Sequence, residues 1–394
     1  MSRSALSRFT LGAVGLLLAL AATVSPARGD DEPEVDGMKG AAWVDVLNKS
    51  DSARQRALAV QALLKLWVEK QYIHSLPTIG RALQVDSSVA VRTQAALALG
   101  SLRESEVEKG HGAQDLIDAM GREKTSKVRL LIAKAIARYK GLPALSASQL
   151  AGALKDPEPA TRAAVAEALA LAGPAGKSAA AELAPLLKDE DKGVRRAAVI
   201  ALGRIEPEGS SAVAEAMVKM LPAEKELDVR IELITSIQLL GEKSPAVVAG
   251  LGALLSDPDD EIRRRATRTL GSFGTAAAPV AEALLKVAKS DKAKDVSVDA
   301  VYAFGSAIGP DELKKRLKDM LALLADTDFR VRVAAIDNIA SLGNELKDDA
   351  ETLKTLRARY GDPHIRVREA ARAAVERIEK KPEPKKNPDP KKDG

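Results

Sequence analysis

Cysteine is absent from the 394 residues. That removes disulfides, thiolate nucleophiles and zinc or iron–sulfur sites built on Cys. Aromatic residues make up only 3% of a chain that is 46% hydrophobic, so small aliphatic side chains, Ala and Leu foremost, carry the apolar content. Such a mixture suits closely stacked helices, because Ala has the best helix propensity and lets neighbouring helices approach. Histidine is also scarce. His74, His111 and His364 lie far apart, with no His-x-x-x-His or His–Glu spacing to set two ligands on one helical turn. There is no Gly-x-Ser-x-Gly and no P-loop, and Asp115 stands where a dinucleotide fingerprint after Gly110-His111-Gly112 needs glycine. The chain is therefore expected to have no catalytic residues, to be no enzyme, and to carry no metal and no cofactor.

Charge of one sign is lacking too, once the ends are set aside. The net charge is +5, but residues 1–27 and 380–394 are basic and residues 28–379 between them balance to neutral. A neutral body lacks the electrostatic footprint of a nucleic-acid binder. At the N-terminus, Arg3 and Arg8 precede the uncharged apolar stretch from Leu11 to Val24, and small residues follow around Ala27 and Gly29. That pattern predicts a secretory signal peptide over 1–27, cleaved after Ala27 or Gly29. The stretch is shorter than the roughly 20 residues a spanning helix needs, so no membrane span is expected after cleavage. The expected location is extracytoplasmic, either periplasmic or secreted. Residues 28–39 read as an acidic linker. Residues 380–394, rich in Lys and Pro with nothing apolar to pack, read as a disordered tail.

What is present is a repeat. Asp is followed six residues later by Arg, usually after Val or Ile, and then by a run of the type x-x-Ala-Ala-x-Ala-Leu-Gly. It reads DSSVAVRTQAALALG at 86–100, DPEPATRAAVAEALA at 156–170 and DEDKGVRRAAVIALG at 189–203; DPDDEIRRRATRTLG at 257–271 and DTDFRVRVAAIDNIA at 326–340 follow. The Arg-equivalent positions are Arg54, Arg92, Arg129, Arg162, Arg195, Arg230, Arg263, Ser297, Arg332 and Arg368. A period of about 35 residues predicts about ten stacked helix pairs over 40–379, an all-α superhelix of the armadillo type. Each first helix ends before the Asp, whose carboxylate suits a turn, with Pro157, Pro258 and Pro363 directly after it. Each second helix opens near the Arg. Its apolar stripe falls at −1, +3 or +4 and +7 from Arg, with a small residue at +8 (Gly100, Gly203, Gly271, Gly305) where the next helix must come close. Glu376 occupies that position in the last unit, as suits a capping repeat.

The Asp–x5–Arg spacing followed by the AAxALG run resembles HEAT repeats, most of all the short bacterial repeats grouped with phycobilisome lyases. The resemblance covers roughly residues 40–379 and implies a solenoid, not one activity. It implies a structural Asp–Arg ladder between adjacent repeats, matched here by Asp86/Arg92, Asp156/Arg162, Asp189/Arg195, Asp257/Arg263, Asp326/Arg332 and Asp362/Arg368, with Glu224/Arg230 a longer acidic variant. The ladder lapses at Asp291/Ser297 and at Asn48/Arg54. Trp43 and Trp67 both fall in the first unit, where they are expected to seal the start of the stack.

A solenoid offers the concave face of its second helices to an extended partner. Positions +1, +2, +5 and +9 from Arg point away from the packed stripe, and centrally they hold Arg196, Arg204, Glu232, Thr235, Arg264, Arg265 and Arg268, then Asp299, Tyr302 and Asp337. The step from basic to acidic along these helices could orient a partner. The function expected is an exported, monomeric protein–protein interaction scaffold that binds a protein partner there. The alternatives are an enzyme subunit resembling the bilin lyases, and a nucleic-acid binder of HEAT-like type.

Overall fold

The structure is a computed structural model, and it describes residues 32–105, 111–139, 144–205 and 210–380. The expected signal peptide, the start of the linker and the Lys/Pro tail beyond Lys380 lie outside the described residues. Those described are almost wholly helical and form an all-α superhelical repeat fold. They divide into two compact units, one up to Ala135 and one from Ile136.

In the first unit, residues 32–39 are not a linker. Glu34–Val35 and Met38–Lys39 pair as a two-stranded antiparallel hairpin. Its turn places Asp36 and Gly37 at positive φ, a conformation Asp tolerates and Gly prefers. Trp43 Nε1 donates to the Val35 carbonyl at 2.9 Å, and Tyr72 Oη donates to Glu32 at 3.0 Å. Trp43 thus ties the hairpin to the first helix, Gly40–Lys49. Trp67 is buried in the second, Ala53–Lys70, edge-on to the His111 ring with centroids 5.1 Å apart.

Each second helix begins three residues before its Arg, with an N-cap residue in extended conformation. Asp191, Asp259 and Asp328 accept backbone N–H groups of the first turn, satisfying donors no helix can satisfy internally. The preceding first helices tighten into 3-10 turns at Gly152–Lys155, Leu254–Ser256 and Arg359–Gly361, so the chain reverses directly at the Asp. The predicted stripe is the core: Val91, Ala95, Ala96 and Leu99 in the first unit, and Val194, Ala198, Val199 and Leu202 in the second, are all buried.

The small residue at +8 has the predicted cause. A Cβ on Gly203 would lie 2.7 Å from Ser236 Cβ, and one on Gly305 would lie 2.5 Å from Asn338 Oδ1. In both cases the neighbour is the +6 residue of the next second helix. Ser236 and Asn338 are polar and buried, and each bonds a carbonyl of the preceding second helix: Ser236 Oγ to Val199 O at 3.1 Å, Asn338 Nδ2 to Val301 O at 2.7 Å. Close approach and cross-repeat hydrogen bond go together, because only a bare Cα leaves room for the donor to reach the backbone. Glu376 is exposed, as the last repeat requires.

The long helix Lys294–Lys315 is two helices joined at a kink, where Gly309 takes φ 70° just before Pro310. Glycine at positive φ followed by proline breaks the helical hydrogen-bond run there.

Candidate partner-binding face

The ladder exists, but its rungs run differently from the spacing in sequence. Arg263 Nη1 donates to two carbonyls at the turn before it, Asp257 at 2.8 Å and Pro258 at 3.2 Å. Its Nε and Nη2 fork onto Asp291 of the next repeat, both at 2.8 Å. Arg162, Arg195 and Arg332 repeat this with Asp189, Glu224 and Asp362, and in the first unit Arg92 does so with Glu123. Arg230 pairs with Asp257. So within one Asp–x5–Arg motif the link is guanidinium to backbone carbonyl. The carboxylate instead accepts the N–H two residues on, as Asp86 does from Ser88 at 2.8 Å and Asp362 from His364 at 2.9 Å. It also holds the arginine of the repeat before. Among the described residues, Arg368 keeps only the carbonyl half of the pattern, on Asp362 and Pro363.

Both lapses are corrected by the structure. In the first repeat the ladder arginine is Arg56, which forks onto Asp86 at 2.8 and 2.9 Å and holds the Ser50 and Asp51 carbonyls; Arg54 is exposed. At the other lapse, Lys294 Nζ reaches both oxygens of Asp326, at 3.1 and 3.0 Å. Lys294 stands three residues before Ser297 on the same helix, so it covers the same side. Ser297 itself is buried, and its Oγ lies 3.4 Å from the Asp291 carbonyl.

Burial alone would push the Asp291 carboxyl up, but the Arg263 hydrogen bonds and the Ala293 N–H outweigh it and hold the group below the usual range. The same balance of burial against the arginine fork depresses Asp86, Asp189, Asp257 and Asp362. For Glu224 the Arg195 hydrogen bond is the leading cause.

The residues expected to bind a partner all lie in the second unit, and the structure sorts them. Arg196 donates to Glu232 at 3.2 Å and Arg264 to Asp299 at 3.1 Å, both from +1 of one repeat to +2 of the next. Arg265 is held by Glu261 at 2.6 Å and Thr235 at 3.3 Å. Tyr302 Oη donates to Asp337 at 2.7 Å; burial and that carboxylate push the phenol far up, so it stays a neutral donor. The step from basic to acidic is therefore largely neutralised internally, because charges at these offsets fall within hydrogen-bond reach across a repeat. Arg204 and Arg268 remain exposed and make no ion pair among the described residues. A cleft of about 240 Å³ is lined by Ile234, Thr235, Gln238, Glu261, Arg264, Arg265 and Arg268.

Equivalent positions of the first unit are of mixed character. They hold the exposed Lys65, paired with Asp36, and the exposed Lys134, together with Leu58 and Leu97, both exposed, and Gln61, which donates to Gln94 at 3.3 Å. The three histidines serve structure. His364 caps the helix Ile365–Glu379 and stacks on Phe329 with centroids 3.5 Å apart, while His74 and His111 lie edge-on to Tyr72 and Trp67. No group of three or more His, Cys, Asp or Glu that could hold a metal occurs among the described residues. No described helix is long and apolar enough to cross a membrane.

Comparison with known proteins agrees with this geometry. A sequence model of HEAT repeats matches residues 147–238 and 225–305. Among solved structures, the chain is similar to an engineered protein at 20% identity and a TM-score of 0.56, over 87% of this chain and 100% of that one. It is also similar to the karyopherin Kap121p, at 16% identity and a TM-score of 0.50, over 86% of this chain and 40% of that one. The chain thus spans less than half the length of the karyopherin. A search of curated proteins finds no match. At these identities the likeness to solved structures is one of fold alone, an all-helical superhelical repeat, and the match to HEAT repeats is confined to residues 147–305.

Proposed function

We propose that this chain is an exported protein–protein interaction scaffold whose second helices, in the second unit, bind a protein partner. One observation carries the reading. Arg268 lies exposed and, among the described residues, without an ion pair on a row of outward side chains where the neighbouring charges are already matched. Elsewhere in the repeats the regular charge is consumed by the ladder. In this reading the chain holds a partner and transforms nothing, and the apolar stretch from Leu11 to Val24 directs it out of the cytoplasm.

The test is capture of partners from a cell-envelope extract with the purified mature chain, followed by reconstitution with the identified protein. The same capture uses the triple variant Arg264→Glu, Arg265→Glu, Arg268→Glu. A discrete protein held by the wild type and lost by the variant supports both scaffold and site. A protein held equally by both moves the site elsewhere. A bound small molecule with no protein overturns the scaffold in favour of an enzyme subunit.

A further inference from the structure

Arg268, Tyr302 and Asp337 occupy the same position, +5, in three successive second helices, and those helices pack on one another in order. They therefore form one row across the second unit, and its ends differ in charge. At one end Arg268 has no partner among the described residues, and beside it Arg265 spends Nε on Glu261 and Nη1 on Thr235, leaving its second Nη group without one among them. Gln238, lining the same cleft, is exposed and its amide makes no hydrogen bond among the described residues. In the middle stands Tyr302, 41% exposed. At the far end Asp337 is exposed and, among the described residues, accepts one hydrogen bond, from Tyr302.

We infer that this row binds an extended peptide segment carrying a carboxylate side chain and, about six residues along, a cationic one. The carboxylate sits between Arg268 and Arg265, a planar-fork geometry arginine provides and lysine does not. Gln238 offers its amide to the adjacent peptide bond. Tyr302 supplies a rigid face for the intervening side chain, and Asp337 takes the cation. The spacing follows from packed helices roughly 10 Å apart, hence about 20 Å over two repeats, against about 3.3 Å per residue of extended chain. A polyanion such as nucleic acid fits poorly. It needs a continuous run of uncompensated cations, whereas Arg264 is matched by Asp299 and Arg265 by Glu261, and Asp337 would repel it. The inference rests on the scaffold reading and gives it a partner chemistry.

The test pans a displayed library of random twelve-residue peptides on the full chain and measures the enriched peptides, fluorescein-labelled, by anisotropy. Enriched peptides are expected to pair Asp or Glu with Lys or Arg about six positions apart. Arg268→Ala and Asp337→Ala should each weaken binding at least tenfold, while Arg54→Ala, an exposed arginine of the first unit, should change it less than twofold. Arg268→Glu should regain binding to a peptide whose acid is replaced by Lys. Peptides without the pair, or an affinity indifferent to Arg268 and Asp337, would overturn the inference. So would displacement by single-stranded DNA with steep salt dependence. If an envelope protein is captured and lost in the triple arginine variant while no paired-charge peptide is enriched, this inference fails and the scaffold stands. If neither is found, both fail.

Discussion

Arg263 and Arg264 are neighbours on one helix, and each reaches an aspartate of the following repeat, yet they are held in opposite ways. The Arg263 and Asp291 side chains are 5% and 6% exposed, and the arginine also grips two carbonyls of its own turn. The Arg264 and Asp299 side chains are 41% and 23% exposed and share one hydrogen bond. One helical step separates a charge locked into the joint between repeats from one that can exchange its partner. The lesson is that regularity in sequence marks the buried row, and irregularity marks the surface free to acquire a specific role.

The harshest way to break the buried row is to titrate all its carboxylates together. The folded values of Asp86, Asp189, Asp257, Asp291 and Asp362 lie below the ordinary carboxylate range: burial would raise them, but the arginine forks and backbone N–H bonds together outweigh it. A depressed carboxyl contributes stability that is complete above its unfolded value, about 3.9 for Asp, and is lost as pH falls through the folded value. Urea unfolding followed by circular dichroism should show a midpoint nearly flat from about pH 7 to 5, then a steep fall below about pH 4. Continuous loss beginning near neutrality would contradict the assignment.

Removing a single rung comes next. Arg263→Ala leaves Asp291 buried without its cation and two carbonyls short of a donor. About 3–5 kcal/mol of stability should be lost, the range for breaking a buried pair from one side. The acid-dependent fall should also be shallower, since Asp291 then has no depressed value to lose. A loss below about 1 kcal/mol would mean the rung is no stronger than an exposed pair.

Close approach can be broken without touching charge. Gly305→Ala puts a Cβ against the Asn338 amide, which is also bonded to Val301 O. Overpacking of this kind costs about 1–3 kcal/mol. Pairing it with Asn338→Ala should recover part of the loss, because the second change removes the clashing atoms; strict additivity would show that the two residues do not meet.

Much of this was legible in the sequence. The Asp–x5–Arg period and the Gly at +8 located the turns, the core stripe and the close contacts, because packing restricts those positions in every repeat. Two things were not legible. In the first repeat the position six before the ladder arginine is Ser50, not Asp, so the spacing pointed to Arg54 although Arg56 makes the fork. At Ser297 the charge is supplied one turn earlier by Lys294, a substitution visible only once the helix is built. On the outward face the sequence could not show that Arg196 and Arg264 are already matched across the repeat. Partner choice between side chains of adjacent helices depends on rotamer and offset, which no spacing along one chain encodes.

The smallest effect sharpens the comparison most. Arg264→Ala removes an exposed pair, and such pairs contribute about 0–1 kcal/mol. Its unfolding midpoint should lie within about 1 kcal/mol of wild type, and its acid profile should be unchanged, because Asp299 is not part of the buried row. Peptide binding at Arg268 should be altered only modestly by it. Should Arg264→Ala instead destabilise the chain as much as Arg263→Ala, the outward row would be a second structural ladder. The charges left over on that face, Arg268 among them, would then be read as part of the fold's joints, and not as a surface kept open for a partner.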